Sequence, residues 1–151
     1  MGISYKLRTV IIRKDALELL ISATPEPPPE TGGVLGERNG IVLEFCLDDA
    51  EARTDRCAYV PNVDHLHRVI DLWTKKEIRF AGMFHSHPYP QTGLSVADKE
   101  YIRKIMEAMP DSVSELYFPV IVPGIGMTGH LAKREDGDVI IIPEEIIIVK
   151  E

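Results

Sequence analysis

Two histidines separated by one residue are the most chemically informative feature of this 151-residue chain. His85 and His87 end an apolar stretch, Arg79 to His87, whose composition is typical of a β-strand. Alternate side chains of a strand share one side, so both imidazoles would face one point while Ser86 faces away. A carboxylate, Asp98, follows on what the pattern predicts as the next helix. Two imidazoles and one carboxylate suit zinc and leave a fourth position for water, as in a catalytic metal site.

Asp98 also has a purely structural interpretation. Ser95 lies three residues earlier at the predicted helix start, so the pair fits an N-terminal capping box. The upstream histidines favour the ligand interpretation, because the connector from Pro88 to Leu94 contains two prolines and a glycine and can turn the helix start toward the strand end. The two roles are compatible, since Ser95 can cap the helix and still present its hydroxyl to the site.

Glu30 is the candidate for the acid–base group that a hydrolytic metal site also needs. It follows a stiff proline-rich segment, residues 25–29, and precedes Thr31-Gly32-Gly33, where glycines permit close backbone approach. The alternative is a solvated acid in an acidic loop. The residue types alone leave both interpretations open.

The other three histidines are not predicted to bind metal. His65 and His67 repeat the one-residue spacing, but they lie in a predicted helix, Asp64–Lys76, where residues two apart point about 200° apart. We interpret both as surface or partner-facing residues. His130 lies alone in a predicted strand and receives the same interpretation.

The remaining sequence predicts the elements that hold these residues. Apolar residues at helical spacing predict helices over Lys14–Ala23, over Asp64–Lys76 and from Ser95 onward, and Asn39-Gly40 predicts a hairpin turn. Strands are predicted over Leu7–Ile12, Gly33–Glu37, Ile41–Leu47, Cys57–Val60, Arg79–His87, Leu116–Val122, Met127–Lys133, Val139–Ile142 and Ile146–Val149. Because strands outnumber helices and hairpins outnumber crossovers, we expect an α/β (α+β) fold: a curved mixed, mostly antiparallel β-sheet flanked by helices.

Composition narrows the class of protein. With 44% hydrophobic and 27% charged residues, the chain is typical of a globular protein, and its length fits one domain, 1–151. A net charge of −7 argues against a nucleic-acid or anionic-membrane partner. No apolar run has membrane-spanning length and the N-terminus lacks a secretory apolar core, so we expect a cytoplasmic protein. Cys46 and Cys57 are interpreted as buried core thiols in a reducing compartment.

Together these residues resemble the JAMM motif of the MPN-plus (JAB domain) zinc metalloproteases. The resemblance rests on Glu30-Thr-Gly-Gly-Val-Leu-Gly36, on His85-Ser-His87-Pro, and on Ser95 and Asp98 at the family's spacing. It implies an MPN/JAB domain, with a cytidine-deaminase-like architecture, over nearly the whole chain. It also implies one zinc ion per chain held by His85, His87 and Asp98, with Glu30 as general base and acid and Ser95 as donor to the oxyanion.

The same resemblance implies a small stand-alone member of prokaryotic type. Such a protein would be a metallopeptidase or isopeptidase that hydrolyses the bond after the C-terminal Gly-Gly of a ubiquitin-like or sulfur-carrier protein. A Gly-Gly tail suits a narrow trench, because no side chain obstructs its pairing with a strand edge. The alternative is a non-catalytic MPN scaffold with a vestigial metal. A nucleotide deaminase is disfavoured, since the Pro-Cys-x-x-Cys ligand pair is absent.

Three points stay open at the level of sequence. Trp73 fits either a modifier contact or, as we favour, the core. Deconjugation is not distinguished from trimming of a precursor tail. The oligomeric state is also undetermined, with a homodimer among the options.

Overall fold

A computed structural model of the chain describes residues 10–27, 30–48 and 62–150. Within these ranges the chain forms three helices and nine strands. The helices are α1 (Lys14–Ala23), α2 (Val63–Lys75) and α3 (Val96–Ala108). The strands are β1 (Val10–Arg13), β2 (Gly32–Arg38), β3 (Ile41–Leu47), β4 (Arg79–Ser86), β5 (Glu115–Tyr117), β6 (Val120–Val122), β7 (Gly126–Glu135), β8 (Asp138–Glu144) and β9 (Ile146–Val149).

One sheet contains all nine strands. Its order is β5-β7-β6-β4-β2-β3-β1-β9, with β8 paired to β7. Five of the nine described pairings are antiparallel and four are parallel. Only Glu145 separates β8 from β9, although β8 pairs with β7 and β9 pairs with β1 at the far end of the order. The two ends of the sheet therefore lie close together, as the predicted curvature requires, and the expected mixed α/β class is confirmed.

The core lies on both faces of this sheet. On one face, Trp73 of α2 and Met106 of α3 pack in a cluster with Met83 of β4. On the other face, Leu20 of α1 packs in a second cluster with Phe84 of β4. Neighbouring β4 residues thus face opposite layers, as strand alternation requires, and each fully buried apolar side chain contributes about 1.5–3 kcal/mol. The core interpretation of Trp73, which is 7% exposed, is confirmed.

Local sequence patterns predict several element boundaries correctly. The predicted bounds of α1, β3 and β9 match the structure. Asn39 and Gly40 both have positive φ, 55° and 79°, as the predicted two-residue hairpin turn demands. None of the helices in the described ranges is long and apolar enough to span a membrane.

One strand prediction is wrong, and two reach beyond the described residues. The segment Leu116–Val122 is two strands, β5 and β6, interrupted at Phe118-Pro119. Pro119 has no N–H to donate, so the ladder along β4 breaks there although both strands pair with β4. The start of the predicted strand Leu7–Ile12 and all of Cys57–Val60 lie outside the described residues.

Candidate metal centre

The end of β4 carries the two histidines in a fixed orientation. His85 and His87 are 7% and 4% exposed, and their Nε2 atoms lie 3.0 Å apart. His85 pairs with Gly32 of β2 on one side and with Val120 of β6 on the other. Just beyond the strand, the His87 N–H donates to the Ile121 carbonyl at 2.9 Å. Backbone contacts on both flanks therefore set the direction of both imidazoles.

The start of α3 carries Asp98 to the same point. Ser95 is the N-cap: its Oγ accepts the Asp98 N–H at 3.0 Å, and Asp98 Oδ2 accepts the Ser95 N–H at 2.9 Å. The same Oδ2 lies 3.2 Å from His85 Nε2 and 3.1 Å from His87 Nε2. The capping box and the place of the carboxylate beside the histidines therefore coexist.

Packing of α3 against the sheet holds this arrangement. Ile102 and Met106, one turn apart, are 1% and 0% exposed and face the core. The Tyr101 hydroxyl donates to Met83 Sδ on β4 at 3.4 Å. These contacts fix the first turn of α3 over the end of β4.

Glu30 completes the cluster from the segment before β2. Its Oε1 lies 3.8 Å from His87 Nε2, and its side chain is 13% exposed. One ligand atom from each of Glu30, His85, His87 and Asp98 lies within 4.8 Å of the others. The structure thus brings together four of the five predicted site residues. The fifth, Ser95, is exposed at the start of α3, and its hydroxyl accepts one hydrogen bond while keeping a proton to donate.

The cluster shifts the pKa values of its own groups. Burial lowers the pKa of His87, but the hydrogen bond to Asp98 and the charge of Glu30 outweigh it, so the pKa lies above its ordinary 6.5. Burial alone would raise the pKa of Asp98, but hydrogen bonds with His85 and His87 hold it well below its ordinary range. The Asp98 carboxylate therefore stays ionised at neutral pH, as a metal ligand must.

Spacing and donor types both fit a metal ion. Ligand atoms of a tetrahedral zinc site with bonds of about 2.0–2.1 Å lie about 3.3 Å from one another. The atoms His85 Nε2, His87 Nε2 and Asp98 Oδ2 are 3.0–3.2 Å apart, whereas Glu30 Oε1 lies farther from His87. The cluster could therefore hold a metal ion on three ligands, with Glu30 alongside.

His130 lies near this cluster, and its interpretation as a surface residue is wrong. It is 8% exposed on β7, and its Nδ1 lies 3.2 Å from the Phe118 carbonyl. Burial lowers the pKa of His130, the Phe118 bond opposes this, and charge on His85 lowers it further. Val120 pairs with both His85 and Thr128, so His130, two residues on, shares the face of His85. That register is not readable from local sequence.

His65 also departs from prediction, whereas His67 is exposed as predicted. The side chain of His65 is half-buried, with Nε2 3.3 Å from the Leu47 carbonyl and 3.9 Å from Cys46 Sγ. A carbonyl only accepts hydrogen bonds, so Nε2 carries the proton and ties α2 to β3. Cys46 is partly buried against the core, and Cys57 lies outside the described residues.

Solved structures share this arrangement of elements. Protein DSY2949 from Desulfitobacterium hafniense has 19% sequence identity and a TM-score of 0.65, over 95% of this chain and 94% of that chain. AF2198, a JAB1/MPN domain protein from Archaeoglobus fulgidus, has 14% identity and a TM-score of 0.51, over 91% and 99%. A protein from Salinibacter ruber has 18% identity and a TM-score of 0.51, over 93% and 92%.

No protein-family model and no curated protein matches the chain. At identities of 14–19%, the likeness to the solved structures is one of fold. The chain has an MPN/JAB-like fold, with a cluster at the end of β4 that could hold a metal ion.

Proposed function

We propose that this protein is a zinc-dependent metallopeptidase or isopeptidase. Its substrate would be a ubiquitin-like or sulfur-carrier protein, cut after the C-terminal Gly-Gly. The observation that carries the proposal is the convergence of Glu30, His85, His87 and Asp98 within 4.8 Å in an MPN/JAB-like fold. Two imidazoles and a carboxylate would hold one zinc ion.

Zinc, when bound, lowers the pKa of water to near 7 and polarises a carbonyl group. Glu30 would take the proton of the attacking water at Oε1 and pass it to the leaving amine. Its short distance from His87 and its low exposure favour this role over that of a solvated acid. Acid–base groups of this kind contribute about 10²–10⁴-fold to rate.

Ser95 would stabilise the negative charge that develops on the scissile carbonyl oxygen. Its Oγ already accepts the Asp98 N–H, which orients the hydroxyl at the start of α3. The hydroxyl proton then serves as the donor to the oxyanion. Asp98 would act as a ligand and, through its bond to the Ser95 N–H, keep that residue in place.

The substrate class is supported by the motif resemblance and by the steric fit of a Gly-Gly tail to a recessed site. Extended backbone without side chains can pass close to a recessed site and pair with a strand edge. The net charge of −7 disfavours nucleic-acid substrates. We also propose that the protein acts in the cytoplasm as a stand-alone enzyme.

The test is cleavage of Gly-Gly-tailed modifier fusions by zinc-loaded protein, read by intact mass with and without a chelator. We expect one cut after Gly-Gly that the chelator abolishes and added zinc restores. The matched control is Glu30→Gln, which should keep zinc by elemental analysis and lose at least about 100-fold in turnover. Bound zinc without cleavage of any fusion would instead favour a non-catalytic MPN scaffold.

A further inference from the structure

Ser86, between the two histidines, makes a two-point contact with the segment that carries Glu30. It is completely buried, and strand alternation directs its side chain away from the imidazoles. Its backbone N–H donates to the Thr31 carbonyl at 2.8 Å, and its Oγ accepts the Thr31 N–H at 2.9 Å. The Thr31 hydroxyl lies 3.5 Å from the same Oγ. The backbone and side chain of Ser86 thus extend the β2–β4 ladder one residue beyond the Gly32–His85 pair.

Glu30 depends on this contact because of the sequence that precedes it. Residues 25, 27, 28 and 29 are prolines, which have no N–H with which to hold the backbone. Thr31 is the residue between Glu30 and the regular ladder that begins at Gly32. The hydrogen bond from Thr31 N–H to Ser86 therefore fixes the backbone next to Glu30.

Glu30 lies close enough to the Ser86 contact for that contact to affect the position of its carboxylate. Its Oε1 lies 3.8 Å from His87 Nε2, and His87 is the residue that follows Ser86. Two adjacent residues at the end of β4 therefore have related roles: Ser86 makes the contact that places the candidate base, and His87 is a candidate ligand. We propose that Ser86 is a positioning residue that fixes the Glu30 carboxylate beside His87 by holding the backbone of Thr31.

This inference rests on the proposed function, in which Glu30 is the general base. Turnover alone does not show whether Ser86 protects the Thr31 N–H. The experiment therefore has one readout on the amide and one on turnover.

Ser86→Ala in the zinc-loaded protein is the first variant. We expect hydrogen exchange of the Thr31 amide, followed by NMR, to accelerate at least about tenfold, while the His87 amide, bonded to Ile121, keeps its protection. Turnover should fall about 10–100-fold, as it does for other residues that orient the groups of a metal site without touching the metal. The fall should appear in kcat with KM and zinc affinity unchanged, because Ser86 touches neither substrate nor metal.

Two further variants separate positioning from general damage. Thr31→Val removes the neighbouring hydroxyl but keeps the Thr31 N–H, so exchange at residue 31 and kcat should stay near wild type. In Glu30→Gln the base is already lost, so adding Ser86→Ala should lower kcat by less than about twofold. If Ser86→Ala does not fold, Ser86→Cys replaces the hydroxyl with a slightly larger and weaker acceptor and should show the same pattern at smaller amplitude.

The outcomes distinguish the two proposals. Unchanged exchange of the Thr31 amide in the folded Ser86 variant overturns the positioning role, whatever the activity. A loss of zinc affinity, or full additivity with Glu30→Gln, also overturns it, because Ser86 would then act through the histidines. Absence of chelator-sensitive cleavage in the wild type counts against the proposed function alone.

Discussion

The side chain of Asp98 accepts the backbone N–H of Ser95 at 2.9 Å, while Ser95 Oγ accepts the backbone N–H of Asp98 at 3.0 Å. The oxygen that Asp98 uses in this exchange, Oδ2, is also the one nearest the two imidazoles. Helix start and candidate metal centre therefore share one atom. Substitutions at either residue should affect both the stability of α3 and the chemistry of the site, in separable amounts.

Asp98→Ala should lose zinc and helix capping together. We expect zinc affinity to fall at least about 100-fold, because the change removes one of the three side chains that would hold the ion, and four-ligand structural zinc sites bind with about 10–16 kcal/mol. In the presence of chelator, the loss of the hydrogen bond from the Ser95 N–H to the Asp98 side chain should lower the free energy of unfolding by about 1 kcal/mol. Asp98→Asn keeps an oxygen for the Ser95 N–H, so it should lose zinc with a smaller loss of stability. Competition with a chromophoric chelator and urea unfolding measure the two effects, and an Ala variant that binds zinc normally would exclude Asp98 as a ligand.

Ser95→Ala and Ser95→Gly should separate the hydroxyl from the cap. Both variants lack the donor to the oxyanion, so both should lose about 10²–10³ in kcat while retaining zinc. Alanine at an N-cap costs about 1 kcal/mol, whereas glycine costs only a few tenths. Thermal unfolding should therefore rank the alanine variant below the glycine variant, although their turnover is similar. Near-normal turnover in the glycine variant would show that Ser95 acts on the helix alone.

The candidate cluster was predictable because its residues obey local rules. Strand alternation alone places His85 and His87 on one side, and β4 does so. A Ser and an Asp three residues apart specify a helix start, and α3 begins there. The pairing of Glu30 with His87 needed more: it depends on β2 lying antiparallel to β4, which the motif implied and local pattern did not.

The predictions that fail concern contacts between segments that are far apart in sequence. The surface prediction for His130 fails because its strand carries no local signal of the β6–β7 register, and the residue is buried. The surface prediction for His65 fails because the contact of its side chain with the Leu47 carbonyl joins segments far apart in sequence. Strand alternation predicts only that Ser86 faces away from the metal, because its bond to Thr31 depends on the long-range pairing of β2 with β4.

Cys46 should react slowly with alkylating reagents. Burial, and then the charge of Asp48, raise the pKa of its thiol above the ordinary 9.0. The thiol also donates to the Leu47 carbonyl at 3.5 Å, which favours the protonated form. In a Cys57→Ser background, iodoacetamide at about pH 7.5 should modify Cys46 at least about tenfold more slowly than in the urea-unfolded chain, because the thiolate is the reacting form. Equal rates in the folded and unfolded states would contradict the shift.

The stabilisation conferred by zinc should increase with pH. In the metal-free fold, His87 has a raised pKa, so its contribution is complete below the ordinary value of 6.5 and is lost as pH rises through the folded value. Asp98 has a lowered pKa, so its contribution is present above its ordinary 3.8 and is lost only at lower pH. Zinc requires neutral His87, so its binding strengthens over the range in which the metal-free fold loses the His87 contribution.

The difference in Tm between zinc-loaded and chelator-treated protein should therefore widen from about pH 5.5 to about pH 8. Glu30→Gln offers a matched control, because removing the Glu30 charge lowers the pKa of His87 and should move the widening to lower pH. Arg13 and Asp15 form an ion pair remote from the cluster in sequence, so Asp15→Asn should leave the profile in place. A Tm difference that stays flat or narrows with rising pH would mean that proton release from His87 does not accompany zinc binding.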